Sequence, residues 1–255
     1  MASALVTGGT AGIGAAFARA LAARGDDLVL VARDAARLEE NAAALRAEHG
    51  VQVEVLPADL AVREDVDRVA ARLADPERPI DVLVNNAGFG IQAKLLDPDV
   101  AAHERALDVM CLAVLILSGA AGRAMKARGH GRIINIASMA GWIAQGHYSA
   151  VKAWVTTYSE GLANELHGTG VSVTAVCPGW VRTEFHSRAG INVSKLPDFA
   201  WVDADRLAAD SLADAERGVV ICVPSKRWRA AKLVLRHGPR SLVRLISRAL
   251  TSSRD

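Results

Sequence analysis

Short runs of Val, Ile and Leu recur along the chain, each followed by an Ala-rich stretch whose apolar positions return every three or four residues. The first pattern suits a strand and the second an amphipathic helix, and their alternation predicts β-α units around a parallel sheet. The predicted strands are residues 4–7, 28–32, 51–56, 82–85, 132–137, 171–176 and 219–223. Most are continuously apolar rather than alternating, as strands must be when helices cover both faces of the sheet. Seven of them predict one α/β domain built on a doubly wound parallel sheet. The segment from Glu184 to Val202 mixes Gly, Pro, Asn and aromatics without periodicity and is expected to be a mobile loop. Beyond it, Lys232, Arg236, Arg240, Arg244 and Arg248 recur every four residues, with Leu233, Leu242, Leu245, Ile246 and Leu250 on other faces. Gly238-Pro239 should break this basic amphipathic pattern into two helices.

Composition narrows the function classes. With 51% hydrophobic and 23% charged residues, the chain can bury a normal core, which excludes general disorder. A net charge of +2 lacks the excess of a nucleic-acid binder, and no nucleic-acid partner is expected. The charge is uneven, however: residues 226–255 hold nine Lys and Arg against one Asp, so the rest of the chain is net acidic. The stripe opposite these cations is expected to dock on its own domain or a partner subunit, or else to meet an anionic membrane surface. Only Trp228 interleaves with the basic residues as a stacking group, which weakens the nucleic-acid option further. The three widely spaced cysteines, Cys111, Cys177 and Cys222, suit neither a disulfide framework nor zinc, and predict a reducing, cytoplasmic setting without a metal. Neither a leader peptide nor a bilayer span is expected.

The chemistry concentrates at three places. Thr7-Gly8-Gly9-Thr10-Ala11-Gly12-Ile13-Gly14 lies between the first strand and a helix. Glycines there let the backbone approach a pyrophosphate and present the helix N-terminus to it, although a tight strand-to-helix turn would use the same residues. The second strand ends Val31-Ala32-Arg33, where an acid would hold the 2′-hydroxyl of NAD. Arg33 favours the 2′-phosphate of NADP instead, through charge-assisted bonds, unless it faces solvent as an ordinary helix-start arginine. Asp34 is positioned to cap the next helix. Finally, Tyr148 and Lys152 are four apart on a predicted helix and share one face, while Ser138 ends the fifth strand at the carboxyl edge where such sheets bind ligands. An ammonium close to a phenol lowers its pKa, making it a usable acid or base.

With these motifs in order, residues 2–223 resemble the short-chain dehydrogenase/reductase family. The matches are TGGTAGIG at 7–14, Asp59 after the third strand, Asn85-Asn86-Ala87-Gly88 after the fourth, Ser138, Tyr148 with Lys152, and Pro178-Gly179 with Thr183. The resemblance implies a Rossmann fold over residues 1–225, including a substrate loop at 184–202, followed by the helical extension 226–255. It implies NADP(H) contacts from Thr7, Gly8, Thr10, Gly12, Ile13, Gly14, Arg33, Asp59, Leu60, Asn86, Ala87, Gly88, Tyr148, Lys152, Pro178, Gly179, Val181 and Thr183. Tyr148 would be the proton donor or acceptor, Lys152 would bind the nicotinamide ribose and depress the tyrosine pKa, and Ser138 would hold the substrate oxygen. The activity implied is hydride transfer between the nicotinamide and a carbonyl or alcohol. The family pairs long helices between subunits, so a homodimer or homotetramer is expected, with Ala153, Trp154 and Leu162 available for contact.

Two departures bear on activity. The family's usual Asn in the helix after NNAG, which holds a relay water, is replaced at the matching position by Met110. A catalytically weak, nucleotide-binding regulatory or scaffold protein is therefore the alternative reading. The interval of ten positions from Ser138 to Tyr148 is also shorter than is usual in the family, which alters the loop beside the substrate. Trp142, Trp180, Phe185, Phe199 and Trp201 are expected to wall the substrate side, suiting an apolar ketone, aldehyde or acyl group. His147 is left without a catalytic role.

Overall fold

Leu and Ala fill the helices and β-branched residues the strands, each where it loses least conformational freedom. The computed structural model describes residues 2–185, 190 and 197–252. In chain order the elements are β1 (Ser3–Thr7), α1 (Gly12–Ala22), β2 (Asp27–Ala32), α2 (Ala35–His49), β3 (Val53–Pro57), α3 (Arg63–Ala74), β4 (Val82–Asn85), α4 (Ala101–Leu107), α5 (Ala113–Arg128) and β5 (Gly131–Ile136). They continue with α6 (Gly146–Glu165), β6 (Val171–Val176), β7 (Trp180–Val181), β8 (Trp201–Val202), α7 (Ala204–Glu216), β9 (Ile221–Cys222), α8 (Lys226–His237) and α9 (Arg240–Ser252).

Seven strands form one sheet in the order β3-β2-β1-β4-β5-β6-β9, with every pairing parallel. β1 lies between β2 and β4, so the chain winds outward to β3 and then returns to the other side of β1. That reversal opens a crevice beyond the carboxyl ends of β1 and β4, where Thr7 and Asn85 stand. The last predicted strand shrinks to Ile221–Cys222, paired over two residues at the sheet edge.

Both faces are covered. Phe17 and Leu21 of α1, Leu38 of α2 and Leu207 of α7 are buried on one face; Leu73 of α3, Leu117 and Met125 of α5 and Val151 of α6 fill the other. Beneath the crevice the only economical way to bury amides is to pair them. Asn85 Nδ2 donates to Ser118 Oγ and to Asn135 Oδ1, both at 2.9 Å, and Asn135 Nδ2 donates to Ser159 Oγ at 3.0 Å, which locks β4 and β5 to α5 and α6. α4 and α5 are joined by a π-helical turn, Asp108–Leu112, so residues 101–128 run as one helical stretch. It is long and apolar enough to cross a bilayer, but most of it is buried inside the domain. Cys111, Cys177 and Cys222 are buried and unbridged.

The expected loop over 184–202 is only partly a loop. Residues 186–189 and 191–196 lie outside the described residues, whereas Trp201 and Val202 pair in parallel with Trp180 and Val181 as a two-stranded ribbon. The basic extension forms the two expected helices, parted at Gly238-Pro239, and both pack on their own domain. Val243 and Ser247 of α9 are buried, and Ala144 N donates to Ser247 Oγ at 2.9 Å. Trp228 of α8 lies flat against Gly179, where any Cβ would collide with its ring.

Gly14, in the first turn of α1, has no room for a side chain: a Cβ would collide with the carbonyl oxygen of Gly8 and with Asn86 Nδ2. Gly161, exposed on α6, has nothing near it. Gly14→Ala should therefore lower the melting temperature sharply, whereas Gly161→Ala should raise stability by about 0.5–1 kcal/mol; thermal melts of the two variants check the contrast.

Candidate active site

The crevice opens into a cavity of about 1440 Å³, enough for a dinucleotide with a substrate beside it. Its floor is the turn after β1. Gly8 and Gly12 adopt φ of 67° and 54°, in the left-handed region that favours glycine. A Cβ on Gly12 would press on Thr183 at 3.2 Å, so the turn and the chain after β7 approach as closely as backbone permits. The N-cap of α1, Ala11, offers no side-chain acceptor, which leaves the first-turn N–H groups available to an anion. Asn86 Nδ2 donates to the carbonyls of Thr7 (2.9 Å) and Gly8 (3.2 Å), and Thr7 Oγ1 accepts from the amides of Asn86 and Ala87 at 2.9 and 3.0 Å.

Gly8, Thr10, Gly12 and Ile13 line the cavity, as do Arg33, Asp59, Leu60, Asn86, Ala87, Gly88, Pro178, Gly179, Val181 and Thr183. Thr7 and Gly14 do not. Thr7 is buried and spends its hydroxyl tying the two loops together, and Gly14 lies behind the turn, so both shape the site from outside it.

One end is cationic. Arg33 is exposed and has no hydrogen bond or ion pair among the described residues. Asp34 caps α2 by accepting from Arg37 N at 3.0 Å, which sets Arg37 beside Arg33 on the cavity wall. Arg37 also pairs with Glu184 at 3.4 Å, across the cleft. Deeper in, Asp59 accepts from Ala61 N and from Arg105 Nη2, the latter at 3.0 and 2.8 Å. Burial alone would raise the Asp59 carboxyl, but the Arg105 guanidinium and the Ala61 amide hold it below its ordinary value. Arg37 was missed from the sequence, where its position four residues after Arg33 was the available signal. Arg105, 46 residues from Asp59, carried no local signal.

At the other end, Ser138 caps the 3₁₀ turn Met139–Trp142 by accepting from Ala140 N at 3.1 Å, and this turn takes up the short interval before α6. It brings the Ser138 hydroxyl close enough to the Tyr148 phenol to lower its pKa. Lys152 is buried and donates to the Ile136 carbonyl at 2.8 Å, with Nζ 5.7 Å from the centre of the tyrosine ring. The Tyr148 shift runs opposite to the expected direction: burial pushes it up to about 12, opposed by the nearby Ser138 hydroxyl, and burial brings Lys152 down to about 8. The Lys152 ammonium is satisfied by the Ile136 backbone carbonyl.

The aromatic wall also differs from expectation. Trp180 and Phe185 line the cavity, and the Phe185 ring stands 5.9 Å from that of Tyr148. Trp142, Phe199 and Trp201 do not line it: Trp142 lies beneath Lys232 and Arg236, Phe199 is 65% exposed, and Trp201 packs edge-on against Trp180. Trp228, Val234, Leu235 and Ile246 from the extension take their place, beside Ile91 and Ile143. Met110 is buried with its sulfur against Gly88, 3.0 Å from where a Cβ would stand.

The family model for short chain dehydrogenases matches residues 2–193. A 3-oxoacyl-(acyl-carrier-protein) reductase of Synechocystis is 35% identical over 184 residues, which is 71% of this chain and 74% of that protein. Among solved structures, a short-chain dehydrogenase from Sphingobium yanoikuyae in complex with NADPH is 37% identical with a TM-score of 0.83, covering 94% of this chain and 97% of that one. A bulky-bulky ketone specific alcohol dehydrogenase from Comamonas testosteroni is 31% identical with a TM-score of 0.80, covering 92% of each chain.

Because the Arg105 guanidinium is what outweighs burial at Asp59, Arg105→Met should move the Asp59 titration upward. Carboxyl carbon shifts followed by NMR across acid pH measure this directly.

Proposed function

The chain belongs to the short-chain dehydrogenase/reductase family, and on that premise we propose that it is an NADP(H)-dependent oxidoreductase interconverting an apolar ketone, aldehyde or acyl-type carbonyl with its alcohol. The observation that carries this reading is the convergence of Ser138, Tyr148 and Lys152 at the apolar end of a cavity whose other end is cationic. The residues present fit the cofactor. Two glycines with positive φ and the uncapped N-terminus of α1 would hold the pyrophosphate, Asp59 and Leu60 the adenine, and Arg33 with Arg37 the 2′-phosphate. The NADPH bound in the Sphingobium relative supports the same choice. Bound there, the nicotinamide supplies or accepts the hydride at the substrate carbon.

The protein's own groups manage the proton. In the reducing direction, Ser138 Oγ and Tyr148 Oη donate hydrogen bonds to the carbonyl oxygen, and Tyr148 passes its proton to that oxygen as negative charge develops. A phenol held near 12 stays protonated at neutral pH, so it is ready as an acid. The Lys152 ammonium, fixed by the Ile136 carbonyl, stabilises the phenolate left behind. Ile91, Ile143, Trp180, Phe185 and Leu235 keep water from the reacting oxygen and favour a bulky apolar substrate, in keeping with the bulky-ketone alcohol dehydrogenase and the 3-oxoacyl reductase among the relatives. Buried, unbridged thiols support a cytoplasmic setting, and the exposed Leu112 of the π-helical turn and Leu115 of α5 support pairing of two copies. Met110 favours a second reading, a nucleotide-binding regulator without turnover, because a thioether cannot hold the relay water as an amide does.

Assay of NADPH oxidation against ketones, aldehydes and acyl thioesters of graded size separates the two. Tyr148→Phe should cost about 10²–10⁴-fold in turnover with NADPH binding retained; binding with no turnover on any substrate would sustain the regulator instead. Arg33→Ala and Arg37→Ala should each weaken NADPH about 10-fold or more and leave NADH unchanged, the loss of one charge-assisted bond. Ketone reduction should hold below pH 8 and decline as the pH rises through about 8, where Lys152 loses the proton its role requires.

A further inference from the structure

We propose that the outer faces of α8 and α9 form a docking surface for an anionic membrane. The two helices bury one side on the domain, through Trp228, Leu235, Val243 and Ser247, and leave the opposite side in solvent. That outer side is mixed in one particular way. Leu233, Leu242 and Leu245 are 59%, 39% and 63% exposed, and the same two helices carry the exposed cations Lys226, Arg240, Arg244 and Arg248.

Several exposed arginines elsewhere on this protein are paired, Arg19 with Asp205, Arg24 with Glu216, Arg63 with Asp67 and Arg78 with Asp75, while Arg33 on the cavity wall and Arg123 stand singly among the described residues. Arg240, Arg244 and Arg248 make no hydrogen bond or ion pair among the described residues. Four residues apart along α9, these three cations lie along one side of it and so repel one another with no carboxylate between them. The arrangement is unfavourable alone and is relieved by a dense negative surface. Among the described residues no carboxylate of the chain reaches these three arginines, so their charge complement is left to a partner.

The leucines decide which anionic partner fits. A second copy would set arginine against arginine. Nucleic acid would satisfy the cations but leave the leucines in water. An acidic protein would need a shaped recess for each leucine, whereas the hydrocarbon beneath anionic headgroups takes protruding apolar side chains without shape matching. The same helices place Trp228, Leu235 and Ile246 on the cavity wall, so the elements that would lie on lipid also wall the apolar end of the cavity.

The test is co-sedimentation of the full chain with vesicles of phosphatidylcholine alone and of phosphatidylcholine mixed with phosphatidylglycerol, at physiological and at high salt. The expected result is association with the mixed vesicles only, weakened by salt. Arg240→Gln/Arg244→Gln/Arg248→Gln should lose about five-fold in affinity per arginine, and Leu245→Gln should also weaken binding. Both variants should keep wild-type melting temperature and NADPH affinity, because the altered side chains are exposed and outside the cavity. A parallel arm uses soluble polyglutamate. No association with the mixed vesicles, equal association with neutral vesicles, or an arginine variant that binds like wild type would overturn the proposal. Polyglutamate binding as tight as vesicle binding, with Leu245→Gln neutral, would overturn it in favour of an acidic protein.

Discussion

The clamp between the loops that leave β1 and β4 supports everything above it. A parallel sheet that changes winding direction leaves two chain segments diverging, and nothing in the sheet's own hydrogen bonds holds them. Here the Asn86 amide donates to the carbonyls of Thr7 and Gly8 while the Thr7 hydroxyl accepts from two amides in return. Four hydrogen bonds therefore join segments nearly eighty residues apart, and they fix how wide the crevice stands. Gly14 must lack a side chain so that Asn86 can reach this position, which makes one glycine of the turn a condition for the clamp rather than a contact for a ligand.

Burial does the electrostatic work at the reacting end. It moves the phenol and the ammonium in opposite directions, up to about 12 for Tyr148 and down to about 8 for Lys152, and in each case favours the neutral form. The few polar groups left inside then determine which protons stay. Ser138 offsets part of the penalty at the tyrosine, and the Ile136 carbonyl holds the lysine in place. At the far end the balance is reversed, because Asp59 meets a guanidinium and an amide that outweigh its burial. One cavity thus has a charged end and a dry end, which is the division a charged cofactor and an apolar substrate require.

The C-terminal helices convert that dry end from a groove into a walled chamber. Trp228 is the joint. Its ring covers Gly179 beside Pro178, and its Nε1 donates to the Ala200 carbonyl at 3.3 Å, so a single side chain braces the loop after β6, the ribbon and the extension. The Ser247 hydroxyl adds a second attachment by accepting from the Ala144 amide, next to the 3₁₀ turn that positions Ser138. The apolar end of the cavity and the turn that positions Ser138 are in this way tied to a segment that the family model, ending at residue 193, does not reach.

What the sequence determined by itself was whatever depends on near neighbours. Strand and helix periodicity placed all seven sheet strands within two residues of their observed ends, because burial on both faces leaves an unbroken apolar signature. The glycine turn, the Asp34 cap and the Tyr148-Lys152 spacing were equally legible, each resting on backbone geometry within a few residues. Only the tertiary structure decided the rest. It brought Arg105 to Asp59, replaced three expected wall aromatics with side chains from α8 and α9, ordered the Trp201–Val202 strand against Trp180–Val181, and turned the direction of the tyrosine shift. Each of these outcomes depends on which distant groups exclude water from a given atom, and that is set by packing across the fold rather than by the residues beside it in the chain.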